Sequence, residues 1–424
     1  MKKNLQTFIM GSLTLFAIYL YSLSDISVPP NIKRKEAPPI NTTSEEDFAL
    51  NYLNRLRIGS GLIPFSSQTQ LKQAAQAHAE YLIKHHIYGH KEDENLSGYT
   101  GTYASKRIEH AGYPSHLVIE NVSNYNRNAK ESIDGLMSAI YHRFAFLSFK
   151  ADEIGIGIKQ NSLQKEETSF VYNLSAKAIR TLCRENNETK IYKSYSKVCN
   201  NRKIKVSTLK LNEAFNTNNT KNRSFIVYPF DKQYDVPPAF FNELPDPLPD
   251  YNVSGFPISI NFNPTLYKNI KILTFDLFDN TGKQIVNVRK HDYKSDPNKR
   301  LKETEFVLFP LQRLKWDSSY SVKITAIIQE KIFTKEWTFH TRSFKEKIHQ
   351  VSNTNKLYHL KKDEAIVFYF PPTSPSDVLH NLSYTGDYDI KFIDQNTIRL
   401  TAFKAKGCCS LRLGKHTLNL EIHN

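Results

Sequence analysis

The sequence predicts an α+β chain: one compact unit in which helices precede strands, followed by one or two all-β units. Three observations predict this. Apolar residues recur at helical spacing between residues 49 and 140, two strand-like segments close that stretch by residue 174, and period-two alternation dominates from residue 256 onward. The 424 residues leave room for two to four domains at roughly 100–200 residues each. A hydrophobic content of 40%, with 12% aromatics, is enough to fill cores of that number, so disorder is not the expectation.

The N-terminus carries Lys2 and Lys3, then an apolar stretch from Phe8 to about Leu23 interrupted by Gly11, Ser12 and Thr14. A spanning helix needs about 20 apolar residues, so this shorter run with a basic flank reads as a secretory signal peptide. Ser22 and Ser24 fit cleavage after Ser24; an uncleaved signal anchor is the alternative. Either way the rest of the chain is expected outside the cytoplasm, in the periplasm, at the cell surface or secreted. Membrane contact is then expected only through residues 8–23. No cysteine follows the apolar stretch, which excludes a lipoprotein anchor. Residues 25–43, rich in Pro, Lys and Asn, read as an extended tether.

Helical signals begin next. Thr43 and Glu46 are spaced as a capping box, with Ser44 and Asp47 as a second frame. Ala49, Leu53 and Leu56 form the apolar face and Gly59 stops the run. A second helix is predicted from Ser66 or Ser67 to His85, with Leu71, Ala74, Ala75, Ala79 and Leu82 inward. A third covers Ser132 to Phe146 on Ile133, Leu136, Met137 and Ile140. Ile154–Ile158 and Phe170–Leu174 are the strands that end the unit, placed at 44–176. Residues 177–235 form a polar connector ending in prolines. Cys183 and Cys199 lie 16 positions apart in it, and an oxidising compartment favours their disulfide over free thiols.

Beyond the connector, Phe256/Ile258/Ile260/Phe262, Leu273/Phe275/Leu277, Tyr320/Val322/Ile324 and Trp337/Phe339 alternate. Asp279-Asn280-Thr281-Gly282 reads as a turn between two strands. Short strands at this spacing predict an immunoglobulin-type β-sandwich over 236–343. The run from Phe309-Pro310 through Leu314 and Tyr320 to Trp337, Phe339 and Thr341 resembles bacterial Ig-like modules of surface proteins. Residues 344–424 alternate again, at Ile366/Phe368/Phe370 through Leu418/Leu420/Ile422, and predict a second small all-β unit. The adjacent Cys408 and Cys409 leave three options open: buried thiols, a vicinal disulfide, or a partner elsewhere.

Lys and Arg exceed Asp and Glu by 15, so the surface is attracted to polyanions such as anionic lipid or acidic cell-wall polymer. The sequence has no nucleic-acid-binding fingerprint, and specific nucleic-acid binding is not expected. It also lacks a phosphate loop, G-x-S-x-G, H-E-x-x-H and paired C-x-x-C motifs. The basic stretch from Lys283 to Lys302 reads as solvated loop surface, with anionic-polymer binding as the alternative.

Three residues stand out for chemistry: His90 just past the second helix, Glu120 in Ile119-Glu120-Asn121, and His142 on the third helix. Two imidazoles and a carboxylate can hold Zn²⁺ or another divalent metal with a position left for water, or act as general acid and base. Their long spacing matches no short metal motif. The plain alternative is that they tie loops to helices by hydrogen bonds.

Residues 44 to about 176 also resemble the CAP superfamily of cysteine-rich secretory, antigen-five and pathogenesis-related proteins. Leu71–His78 (LKQAAQAH) is similar to the family's second helix, Tyr88-Gly89-His90 to the G-H or S-H at its end, and Glu120-Asn121 to its E-N. Ile133–Leu147 (IDGLMSAIYHRFAFL) resembles the second histidine helix with His142-Arg143 as H-R, and Glu153–Gly157 the E-I-G-x-G strand. The resemblance implies an α-β-α sandwich with a cavity of two histidines and two acids that binds a divalent metal in several members. It carries over His90, Glu120 and His142. The second acid does not carry over: Leu136 to Ala139 stand at its place, and Asp134 or Glu131 could substitute. The expected function is therefore an exported binding or interaction module of the cell envelope, whose partner is an envelope component, an anionic polymer or a protein. A metal-assisted hydrolase using His90, Glu120 and His142, and a lipid or sterol carrier as reported for some relatives, are the alternatives.

Overall fold

The computed structural model describes residues 38–184, 194–195, 197–351, 356–379, 382–384, 388–403 and 408–423. The signal segment and most of the tether lie outside the described residues, as do the side chains of Cys408 and Cys409. The chain divides into two compact units, 36–343 and 344–424.

The first unit opens with α1 (Thr42–Ser60). Its N-cap is Asn41, whose Oδ1 accepts from Ser44 N at 3.1 Å, so neither predicted capping frame is used. Gly61, at φ +96°, closes the helix two residues past Gly59 in the left-handed conformation that glycine favours. The short β1 (Ser66–Ser67), α2 (Thr69–His85), α3 (Ala104–His110), β2 (Ile119–Asn124), α4 (Ala129–Ser138), α5 (Ile140–Phe146), β3 (Glu153–Gln160) and β4 (Thr168–Ser175) follow. The strands form one sheet in the order β1-β3-β4-β2, leaving β2 at an edge.

Helices cover both faces of this sheet. Cβ atoms built on Gly155 and Gly157 would fall 2.0 Å from the backbone of Leu71 and 2.2 Å from that of Ala75, so α2 lies directly against β3 on that face. The alternate residues Ile154, Ile156 and Ile158 point the other way and share a core with Leu53 and Leu56 of α1 and Ile133 and Met137 of α4. This is an α-β-α sandwich. The predicted third helix is two helices: Ala139 is extended (φ −76°, ψ 111°) and serves as the N-cap of α5, while its N–H closes α4 on Gly135 O.

The connector is more structured than its polar composition predicts. It contains α6 (Lys177–Arg184), a β5–β6 pair (Ser194–Tyr195, Val206–Ser207) and α7 (Thr208–Asn219), held by the Cys183–Cys199 disulfide. Ile179, Cys183, Cys199, Val206 and Leu211 make its small core.

The β-sandwich begins upstream of residue 236, with β7 (Phe225–Tyr228) and β8 (Gln233–Val236), because both pair into its sheets. A side pair, β9 (Ala239–Phe241) and β10 (Val253–Gly255), precedes β11 (Ile258–Phe262), β12 (Ile270–Phe278), β13 (Val288–His291), β14 (Glu305–Pro310), β15 (Ser319–Ile328) and β16 (Lys331–Thr341). The two sheets run β13-β14-β11-β7 and β12-β15-β16-β8, and Phe262, Phe275, Ile324 and Trp337 fill the space between them. Leu273 breaks the expected alternation and is exposed, because a bulge between Ile272 and Thr274 turns it out. The predicted turn is present: Asp279 Oδ1 accepts from Thr281 N and Lys283 N at 2.9 and 3.1 Å, and Gly282 takes φ +82°.

The second unit is all-β: β17 (Ile348–Gln350), β18 (Leu357–Lys361), β19 (Ala365–Tyr369), β20 (Leu382–Tyr384), β21 (Tyr388–Asp394), β22 (Thr397–Ala402), β23 (Cys408–Leu413) and β24 (His416–His423). Its two sheets are ordered β17-β19-β22-β21 and β18-β24-β23-β20, and share a core of Leu360, Phe368, Ile398, Leu411 and Leu420.

Candidate functional site

The α2 face of the α-β-α sandwich carries a buried chain of charges that reaches solvent at one residue. Helix α2 ends at His86, which takes φ 52°, and Gly89 at φ +100° lets the loop fold back on the helix. There Gly89 O meets His78 Nε2 at 3.0 Å, and His78 Nδ1 meets Glu92 Oε1 at 2.8 Å. Both ring nitrogens of His78 thus face acceptors, the carbonyl of Gly89 and the carboxylate of Glu92. Both His78 and Glu92 side chains have no exposed surface. Burial pushes the Glu92 carboxyl up, but the His78 bond, the Thr100 N–H and the charges of His78 and Arg107 outweigh it and hold it below the usual range.

Arg107 of α3 stands next in the chain, also fully buried. Its Nε lies 3.7 Å from Glu92 Oε1, and its Nη2 is 2.7 Å from both carboxylate oxygens of Glu120. Nη1 donates to Gly101 O and His90 O at 3.0 and 3.1 Å, which ties the loop to the helix. Glu120 is 4% exposed and accepts from His90 Nδ1 at 3.0 Å. Burial again raises its carboxyl, and the His90 bond with the Arg107 and His78 charges brings it below the ordinary value. His78, Glu92, Arg107 and Glu120 thus form a buried chain in which each carboxylate faces a basic side chain.

His90 ends this chain at the surface, its side chain 51% exposed. Because Nδ1–H is given to Glu120, the neutral ring carries its lone pair on Nε2, which has no partner among the described residues. The exposed Tyr88, two residues earlier, packs against Tyr125 with ring centroids 5.3 Å apart and hydroxyls in contact.

His142 is placed differently. Successive residues of β2 point to opposite faces, so while Glu120 reaches Arg107, Asn121 reaches α5 and donates to His142 O at 3.0 Å. His142 Nδ1 meets Glu243 Oε2 at 2.9 Å, 101 residues away in the sequence, in the segment between β9 and β10. The other oxygen of Glu243 accepts from Ile140 N at 2.8 Å, at the N-terminus of α5. Burial raises the Glu243 carboxyl above its usual value, more than the His142 bond and charge lower it.

The structure therefore brings His90 and Glu120 together and gives His142 a separate carboxylate. Among the described residues, His90, Glu120 and His142 do not present three donor atoms within 4.8 Å of one another. Both oxygens of Glu120 are also committed to Arg107. The predicted three-donor metal set does not fit this arrangement. Of the acids considered for the missing position, Asp134 binds Tyr52, Lys130 and Arg342, and Glu131 pairs with Arg127. His78, Glu92, Arg107 and Glu243 escaped the sequence reading. His78 carried a signal, a polar residue on the apolar face of α2; Glu243 carried none, since no local spacing links it to His142.

A cavity of about 810 Å³ lies elsewhere, between the connector, the end of the α-β-α sandwich and the first β-sandwich. Leu117, Phe144, Ile179 and Phe215 form apolar walls, with Lys150 and Lys302 at the cavity; none of His90, Glu120 and His142 lines it. Lys150 Nζ sits 4.2 Å from the Phe215 ring centroid. The basic stretch of the sandwich is partly neutralised, Arg289 making a bidentate pair with Asp250 at 2.6 and 2.8 Å.

Residues 50–174 match the model of the cysteine-rich secretory protein family, CAP. This segment is a CAP domain. Among solved structures, the chain is similar to an outer surface protein of Borrelia burgdorferi (17% identity, 32% of this chain and 96% of that one, TM-score 0.28). It is also similar to an extracellular protein of Bacillus anthracis containing an SCP domain (14% identity, 32% of this chain and 44% of that one, TM-score 0.28). A third similarity is to fibronectin(III)-like modules of Clostridium thermocellum CbhA (7% identity, 47% of this chain and 94% of those modules, TM-score 0.16). No curated protein matches the chain. No helix among the described residues is long and apolar enough to cross a membrane.

Proposed function

We propose that the protein acts outside the cytoplasm as a binding protein of the cell envelope, whose CAP domain engages its ligand through the surface around His90. One observation carries this reading: a buried network of ionisable side chains opens to solvent at a half-exposed imidazole, with Nε2 unpartnered among the described residues. Burying ionisable groups is costly, and such arrangements concentrate at sites that present a polar group in a fixed orientation. Here the network fixes the ring of His90, and Nε2 is left to accept a hydrogen bond. The excess of 15 positive charges favours an acidic envelope polymer as the partner.

The same geometry speaks against Glu120 as a general base, because its carboxylate is locked by Arg107 and its affinity for a proton is lowered. Co-sedimentation with an envelope fraction and with an insoluble acidic polymer tests the proposal. His90→Ala is expected to weaken binding about tenfold, the loss of one hydrogen bond that Nε2 accepts from a hydroxyl of the polymer. Unchanged binding would reject the His90 surface as the site. Hydrolysis of a peptide or nucleic-acid panel that disappears in Glu120→Gln would replace binding by catalysis.

The apolar cavity supports a second reading, a lipid or sterol carrier. Its volume of about 810 Å³ lies in the range of small-molecule sites. Saturable uptake of radiolabelled sterol, blocked by Phe215→Trp, would establish it; no uptake would dismiss it.

A further inference from the structure

The second unit holds a cluster of ligating side chains unconnected with the CAP domain. Strand β18 runs parallel to β24 and pairs His359 with Glu421 and Lys361 with His423. Residues two apart on a strand share a face, so His359, Glu421 and His423 project from one side of this edge. Their ligating atoms converge. His359 Nδ1 lies 2.8 Å from Glu421 Oε2 and 3.1 Å from His423 Nε2, and His423 Nε2 lies 3.5 Å from the same carboxylate oxygen. The two rings stack at 26° with centroids 5.4 Å apart.

A tetrahedral ion with bonds of about 2.0–2.1 Å holds its donors about 3.3 Å apart, which is the spacing found here. Without an ion, whichever of the two ring nitrogens carries a proton faces two acceptors, the carboxylate and the other imidazole. An ion in its place would satisfy all three lone pairs. The donor set is two imidazoles and one carboxylate, which suits Zn²⁺, Ni²⁺ or Cu²⁺ and not Ca²⁺ or Mg²⁺. The side chains are 61%, 37% and 53% exposed for His359, Glu421 and His423, so an ion has direct access from solvent. Lys361 shares this face opposite His423 and is the one nearby cation on β18 that opposes the charge of an ion; its exposed stem lets the ammonium swing into water.

We propose that His359, Glu421 and His423 form a divalent transition-metal site, with zinc as the reference ion and a fourth position left for water or a donor from another molecule. Such an ion would bolt the edge strand β18 to the last strand of the chain. The test uses the full-length protein with free thiols alkylated, titrated with Zn²⁺ against a chromophoric chelator. One zinc is expected to be lost in His359→Ala/His423→Ala. Glu421→Gln is expected to weaken it about tenfold or more, the scale of loss that even an outer partner of a metal ligand causes. All three positions are at the surface, and unchanged far-UV circular dichroism verifies that the variants are folded. A double variant that binds zinc with wild-type stoichiometry and affinity, or a wild-type protein with no zinc site of micromolar affinity, would overturn the proposal.

Discussion

Replacing Glu120 by Ala tests whether the buried charges hold the loop that presents His90. The substitution removes both carboxylate contacts to Arg107, at 2.7 Å each, and the 3.0 Å bond to His90. Arg107 stays fully buried, with Glu92 at 3.7 Å as its remaining counter-ion. Removing one partner of a buried ion pair costs about 3–5 kcal/mol, and the carbonyls of Gly101 and His90 that still accept from Arg107 place this case near 3. Glu120→Gln keeps one acceptor and is expected to cost about half as much. Urea unfolding followed by tryptophan fluorescence reads the right unit, since Trp316 and Trp337 both lie within 36–343. The double variant Arg107→Met/Glu120→Leu should be more stable than the sum of its single changes by about 0.5–3 kcal/mol. The pH dependence has a fixed sign. Folding lowers the Glu120 carboxyl below its ordinary 4.5, so the folded state binds fewer protons there. Its contribution is full above that value and is lost as the pH falls through the lower folded one. A cost under about 1 kcal/mol, additive double-variant effects, or a gap between wild type and Glu120→Ala that does not narrow below pH 4.5 would refute the reasoning.

Three further outcomes follow from the same structure. Glu243 should show the opposite pH trend: burial raises its carboxyl above 4.5, so its contribution declines as the pH rises through the folded value, and urea midpoints of Glu243→Gln should approach wild type over that window. Removing the Cys183–Cys199 disulfide, which spans 16 positions, should cost about 3 kcal/mol in the same unfolding assay, and neither thiol should label without reductant. Gly157→Ala should destabilise by about 3 kcal/mol or more, because its methyl would sit 2.2 Å from the backbone of Ala75 and push α2 off the sheet; retention of wild-type stability would show that the helix can shift.

Elements with a strong period were legible in the sequence. The apolar faces of α1 and α2, strands β3 and β4 and the alternating β-strands follow from residue spacing, because one buried face dictates each pattern. Features decided by single positions were not. Ala139 sits in a run with good helical spacing, yet the chain leaves the helix there and Glu243 takes the freed Ile140 N–H. Leu273 sits at an alternating position in the sequence, and a bulge sends it out of the inward row. The connector looked like a linker because its helices bury few residues around one disulfide. At the site, His90 and Glu120 were visible as polar residues in a matching frame. Their internal support was not, since Glu92 and Arg107 are ordinary surface types until burial gives them a role.

The position of Glu243 changes what the CAP domain of this chain is. The matched segment ends at residue 174, and His142 within it finds its carboxylate on Glu243, outside that segment. The neighbouring Arg143 is fully buried and donates to Pro257 O at 2.8 Å and Ser259 Oγ at 3.1 Å, both in the sandwich, while Tyr141 hydroxyl bonds Asp296. Helix α5 is thus capped, paired and anchored by groups from outside its own domain. Cut away from the sandwich, Arg143 would keep Met137 O, give its two other hydrogen bonds to water, and lose the rings of Tyr228 and Phe256 that it packs against at 5.0 and 4.9 Å. The β-sandwich is therefore a structural partner of the CAP domain. Any ligand that draws on His142 would meet a site assembled from both.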